Sequence, residues 1–233
     1  VPAAARMNDR FFRRTAAQIV TSICGRHDIP ARVQNNEPVQ DWDGLLPGLL
    51  QMLESGVEAQ VEGAFCTLRL LFEDHADQLC AQGLADSLQA LVAKFISFFQ
   101  HPSANVRAGA IYCIRMLILP MPNALVVNLQ AFLQGLLALS KDPAAEVRKE
   151  ICIALCILAE CKADFLADPQ ICSFVIEFLL WTTEHDSDYD VKKEACEFWQ
   201  TLCENQDIPP NVLQPYLSRL TLVLLNGMVY SED

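Results

Sequence analysis

Apolar residues recur along this chain at offsets of 0, +3, +4 and +7 from a small residue, and the whole set returns five times at intervals of 41 to 48 residues. With the small position as origin, the copies start at Ala16, Ala64, Ala110, Ile151 and Ala195, bulky Ile151 being the exception. The +4 column reads Val20, Leu68, Ile114, Leu155 and Trp199, and the +7 column Ile23, Leu71, Leu117, Leu158 and Leu202. At about 3.6 residues per turn these offsets share one helix face, so each copy predicts an amphipathic helix with a buried stripe. Ala16, Ala64, Leu68, Ala110, Ile114, Leu155, Ala195, Phe198 and Trp199 are therefore expected in the core. Five more apolar segments alternate with these, roughly Trp42 to Glu54, Leu84 to Gln100, Ala124 to Lys141, Pro169 to Thr183 and Asn211 to Val229.

Two helices per repeat at this period belong to the HEAT and armadillo class. The expected fold is an all-α solenoid, a right-handed superhelical array of antiparallel A/B helix pairs running as a single array through residues 1–233. The recurring helices are the B helices. The pattern opens on a B helix, closes on an A helix and begins without an initiator methionine. Terminal repeats normally carry a polar outer side, so further repeats are expected on both sides.

Breakers fall where the A-to-B turns belong, at Glu54-Ser55-Gly56, His101-Pro102-Ser103, Lys141-Asp142-Pro143 and Asp186-Ser187-Asp188. In two copies an Asp precedes a basic residue by six, Asp142 with Arg148 and Asp186 with Lys192. These pairs are expected to form a structural ladder between neighbouring turns. Arg13 and Arg107 hold the same basic position without the Asp, and Val61 replaces it in the second copy. One link is long: residues 26–41 are polar and carry two prolines, which predicts an inter-repeat loop without regular structure.

The formal net charge of −12 argues against a direct nucleic-acid binder, which needs a basic surface, and suits a basic protein partner. No apolar run reaches the roughly 20 residues of a membrane span, so no membrane insertion is expected. Val1 to Arg10 lacks the apolar segment of a secretory signal. Of the ten cysteines, Cys24, Cys66, Cys113, Cys152, Cys156, Cys196 and Cys203 sit inside helical pattern and read as small buried hydrophobes in a reducing compartment. Cys152, Cys156 and Cys161 lack CxxC spacing and a nearby histidine, so no metal site is expected. The four histidines, His27, His75, His101 and His185, are scattered, and no phosphate-binding glycine loop is present. No catalytic residue and no cofactor is expected, and the chain does not read as an enzyme.

A solenoid instead offers surfaces. Positions −2, +2, +5 and +9 of each B helix fall away from the buried stripe, toward the side that stacked repeats make concave. They include Arg14 and Gln18, then Glu62, Arg69, Glu73, Tyr112, Arg115, Lys149, Glu160, Lys193, Glu197, Gln200 and Glu204, acidic toward the last copy.

Several stretches carry a more specific resemblance: Asn8-Asp-Arg-Phe-Phe-Arg13, Trp42-Asp-Gly-Leu-Leu-Pro47, Val61-Glu-Gly-Ala-Phe65, Glu146-Val-Arg-Lys-Glu-Ile-Cys152, Glu194-Ala-Cys-Glu-Phe-Trp-Gln-Thr-Leu-Cys203 and Val223-Leu-Leu-Asn-Gly-Met-Val-Tyr-Ser231. In this order, across nearly the whole chain, they resemble the importin-β-like receptors of the karyopherin-β family. Asp43 departs from the proline usual after the tryptophan, and the 26–41 link is longer than the family's. The resemblance implies a segment from about the third repeat to the start of the eighth in a nuclear import receptor shuttling between cytoplasm and nucleus. It implies Ran-GTP as partner of the N-terminal arch, with the concave residues above as candidate contacts. Import cargo of the proline-tyrosine signal type would bind mainly outside this chain, and nucleoporin FG repeats would be met in transit. An acidic loop in the eighth repeat, at whose threshold Tyr230-Ser-Glu-Asp233 stands, would couple Ran binding to cargo release. The competing reading is a HEAT scaffold of another kind, such as a phosphatase regulatory subunit.

Overall fold

Each of the ten periodic segments contains a helix in the computed structural model, which describes residues 3–24, 32–34, 37–39, 44–80 and 85–228. The B helices are α1 (Ala3–Cys24), α3 (Glu58–Leu79), α5 (Ala104–Arg115), α8 (Ala145–Cys161) and α10 (Tyr189–Glu204). The A segments are α2 (Leu45–Glu54), α4 (Ala85–Ser97), the pair α6 (Asn123–Val126) and α7 (Leu129–Ala138), α9 (Pro169–His185) and α11 (Leu217–Gly227). The chain divides into two compact units, Val1–Leu133 and Gln134–Asp233.

In the first unit α1 packs on α3, and α3 on α2 and α5. The core between α3, α4 and α5 is aromatic: Phe65 lies 5.7 Å from Phe95 and 5.4 Å, edge-on, from Phe98. Phe72 meets Phe95 edge-on at 5.9 Å. Gly109 on α5 lets this cluster close, because a Cβ there would stand 3.3 Å from the Phe65 ring. The α2–α3 turn is tight, with Gly56 at φ +68°, a conformation that favours glycine. Helix α5 stops earlier than its stripe predicts. Pro120 has no N–H and disfavours helical geometry in the residue before it, yet Leu117 and Ile118 still reach the core from the turn that follows.

Two expectations change in this unit. Among the α1 residues whose burial is described, Ala17, Thr21 and Cys24 are buried, while Ala16 and Val20 are only half-buried. The face turned to α3 is carried one residue further along, a rotation of about 100°. Thr21 satisfies its hydroxyl by donating to the Ala17 carbonyl at 3.0 Å. The 26–41 link is not without structure either. Arg32–Gln34 (β1) and Glu37–Val39 (β2) pair antiparallel, with Val33 opposite Pro38. The rest of the link lies outside the described residues.

In the second unit α10 packs on α8 and α9, and α11 on α9. Ala195, Phe198 and Leu155 are fully buried, and the Trp199 indole is 3% exposed and donates to Thr183 Oγ1 at 3.1 Å. The other core positions, Ala64, Leu68, Ala110 and Ile114, are also fully buried within their own unit. Asp168 caps α9 and Asp188 caps α10, each side chain accepting two backbone N–H groups. Cys24, Cys113 and Cys152 are buried and Cys66 and Cys156 half-buried. Cys196 and Cys203 are exposed, contrary to expectation, since offsets +1 and +8 from Ala195 lie off the stripe.

Candidate partner-binding faces

The ladder between turns is present in the second unit. Arg148 Nε and Nη2 donate to Asp186 Oδ2 and Oδ1 at 2.7 and 2.8 Å, and Nη1 donates to the Asp142 and Pro143 carbonyls at 2.8 and 3.2 Å. One guanidinium thus closes its own turn and grips the next. Burial works to raise the Asp186 pKa, but the Arg148 hydrogen bonds, the Asp188 N–H and the Arg148 and Lys192 charges together hold it below the usual carboxylate range. Arg107 clasps its own turn in the first unit, donating to the His101 and Pro102 carbonyls at 2.7 and 2.9 Å. Lys192 donates to the Glu184 carbonyl at 3.0 Å.

On the B helices of the first unit, Arg14 and Gln18 are exposed and Glu62 pairs with Arg13 at 3.1 Å. Tyr112 is half-buried, and two cations lie over its ring: the Arg69 guanidinium is 4.4 Å and that of Arg115 4.6 Å from the ring centroid. Burial, then the Glu73 carboxylate, push the Tyr112 hydroxyl pKa up against the pull of both arginines. Arg69, Glu73, Tyr112 and Arg115, separate in sequence, are therefore one cluster.

On the B helices of the second unit, Lys149 donates to Asp190 at 3.2 Å and lies 3.9 Å from Glu194. Lys193 is exposed. Glu160, Glu197, Gln200 and Glu204 border a cleft of about 610 Å³ between α8 and α10, joined by Thr201 and Asn205. Gln200 donates to Glu204 at 2.9 Å, and Asn205 donates to the Ala159 carbonyl at 2.7 Å, covering the end of α8. The sequence reading missed Asp190, Glu194 and Asn205, although Asp190 and Glu194 stand four apart on one helix face.

A second cleft, of about 570 Å³, opens at the turns of the same unit, between Lys141, Pro143 and Arg148 on one side and Trp181 and His185 on the other. The Trp181 indole, 49% exposed, stacks on His185 at 5.6 Å. Phe174, one helical heptad earlier on α9, is also exposed. Periodicity had assigned these aromatics only to an apolar segment.

Among the described residues no group of three or more His, Cys, Asp or Glu is placed to hold a metal ion, and no helix is long and apolar enough to cross a membrane. His75 lies 3.4 Å from the Thr21 carbonyl, and His101 accepts from the Ser103 N–H at 3.1 Å. His27 lies outside the described residues.

Comparison with known proteins shows the lineage of the chain. The chain is 37% identical to transportin-1 of Mus musculus over 220 residues, 94% of its own length. The chain is a transportin-like member of the karyopherin-β family. It is also 35% identical to transportin of Dictyostelium discoideum over 97% of its length and 32% identical to importin subunit beta-2 of Schizosaccharomyces pombe over 96%. It spans 23% of the length of each of these curated relatives. No protein-family model matches. Among solved structures, a designed armadillo repeat protein in complex with the peptide (KR)4 superposes with a TM-score of 0.60 at 19% identity, covering 82% of this chain and 76% of that one. An engineered protein gives 0.62 at 17% identity, over 82% and 74%. Both are similar in fold alone. Within the transportin-like sequence, Phe198 and Trp199 are buried, so that part of the family signature is a packing signal.

Proposed function

We propose that this transportin-like chain is part of a nuclear import receptor, forming one continuous HEAT array in which the B-helix side chains contact Ran-GTP. The observation that carries the reading is the cleft between α8 and α10, where Glu160, Glu197 and Glu204 border an open polar groove. Such a groove suits a basic protein surface, which charge complementarity steers and orients. Ran would be read by nucleotide state through a surface that differs between its GTP and GDP forms, so cargo release follows from differential affinity. Cargo with a proline-tyrosine type signal binds mainly through parts of the receptor outside this chain. On the A-helix side, Trp181 and Phe174 offer half-exposed aromatic contacts of the kind that nucleoporin FG repeats need. The receptor shuttles between cytoplasm and nucleus and performs no bond-making chemistry.

The test is a pull-down with a receptor chain carrying this segment between flanking repeats. Retention of Ran in its GTP form and not its GDP form is expected, reduced when Glu160, Glu197 and Glu204 are changed together to Gln. Equal retention of both forms would refute the reading.

A further inference from the structure

We propose that Ser187 is a phosphorylation site, read by a serine kinase directed to acidic sequences, and that its phosphate recharges the cleft lined by Trp181. Ser187 stands in the turn between α9 and α10, in the run Asp186-Ser-Asp-Tyr-Asp190. The backbone there is held by its neighbours. Asp186 Oδ1 accepts from the Asp188 N–H at 2.9 Å, and Asp188 Oδ1 accepts from the Asp190 and Val191 N–H groups at 3.0 and 3.2 Å. Ser187 takes no part in that capping and is exposed, outside both helices. Asp186 is committed to Arg148 and Asp188 to the cap, which leaves Asp190, three residues past the hydroxyl and 66% exposed, as the charge for a kinase to read. Asp190 pairs with Lys149 at 3.2 Å, a surface ion pair of the kind that holds weakly. Ser55 also has a carboxylate three residues on, Glu58, but its hydroxyl closes the α2–α3 turn, donating to the Met52 carbonyl at 2.8 Å and accepting from the Val57 N–H at 3.2 Å.

In the transfer, Ser187 Oγ attacks the γ-phosphorus of ATP. An Oγ–P bond forms, the bond from that phosphorus to the bridging oxygen breaks, ADP leaves, and the hydroxyl proton passes to the kinase's catalytic carboxylate. The product carries about two negative charges at pH 7. Ser187 lies on the cleft of about 570 Å³ that also holds Lys141, Asp142, Arg148, Trp181 and Asp186. Lys141 and Arg148 are matched there by Asp142 and Asp186, so the phosphate decides the sign of the potential before the Trp181 indole, which is 49% exposed. An acidic ligand is then disfavoured against Trp181 and a basic one favoured. The inference goes beyond the partner reading above, since neither the acceptor nor the potential needs Ran or an import ligand to be tested.

The experiment treats a receptor chain carrying this segment between flanking repeats with magnesium ATP and casein kinase 2, an acid-directed serine kinase, and maps the products by mass spectrometry. A phosphate at Ser187 is expected, absent in Ser187→Ala and added about tenfold more slowly in Asp190→Asn, the loss of one charge-assisted contact. Iodide quenching of the tryptophan fluorescence should then fall, and caesium quenching rise, by about 1.5-fold, and Trp181→Phe should abolish both changes. Circular dichroism melts of the three variants check that each is folded. A folded chain that takes no phosphate at Ser187, while a free peptide spanning residues 181–194 is labelled, overturns the site, as does labelling of Asp190→Asn at the parent rate. Quenching by both ions unchanged after phosphorylation overturns the effect on the cleft. A receptor that takes the phosphate but holds Ran-GTP and Ran-GDP equally removes the broader reading and leaves this inference standing.

Discussion

Changing Asp186 to Ala removes more than one surface charge. The carboxylate side chain is 1% exposed and its partner Arg148 12%, so this pair is nearly out of water. The substitution deletes two hydrogen bonds from Arg148 and one from the Asp188 N–H, at 2.7 to 2.9 Å. Removing one partner of a buried pair costs about 3 to 5 kcal/mol, because the other charge stays behind. Here Arg148 keeps the Asp142 and Pro143 carbonyls, which places the expected loss at the low end, about 3 kcal/mol. The assay is urea unfolding at pH 7 of the parent, Asp186→Ala, Arg148→Ala and the double variant. A coupling energy of about 2 kcal/mol is expected from the cycle. The pH dependence gives a second check. The folded Asp186 pKa lies below its unfolded value, so the pair's contribution is fully present above the ordinary carboxylate pKa of about 4 and is lost as pH falls through the folded value. The gap between parent and Asp186→Ala should narrow in that acid range. A coupling below about 0.5 kcal/mol, the range of exposed pairs, would refute the ladder as a source of stability.

Two further substitutions probe the cores. Trp199→Ala should cost about 3 to 5 kcal/mol, leaving a cavity and a Thr183 hydroxyl without its indole donor; a circular dichroism melt unchanged from the parent would remove Trp199 from the core. Gly109→Val should cost about 1 to 3 kcal/mol, because the added atoms meet Phe65, itself held by Phe95 and Phe98; a raised melting temperature would show that the cluster yields freely.

Helices and turns were legible in the sequence because both are local: a stripe needs only its own spacing, and Asp142 and Asp188 mark turns by side-chain chemistry. The ladder was legible as a type of contact, since Asp186 and Arg148 hold repeating positions. The rotation of α1 was not, because Ala16 and Ala17 are equally small and apolar and only packing against α3 chooses between them. The pairing of Arg32–Gln34 with Glu37–Val39 does have a sequence signal: Asn35-Asn36 separates two short segments that each carry a valine, a spacing typical of paired strands. The acidic cleft and the cluster around Tyr112 depend on how helices of neighbouring repeats are turned toward each other. Periodicity found their members, and only the assembled units showed which of them meet.

The Arg148 clasp also bears on how such arrays change length. Its guanidinium addresses the carbonyls of its own turn and a carboxylate one repeat ahead, so its instructions are written relative to its neighbour and not to a place in the chain. A duplicated or excised repeat bearing the same Asp and Arg would rejoin a matching donor to a matching acceptor, and the seam would heal without compensating change. At the second copy, where Val61 stands in place of the cation, the same event has no such splice.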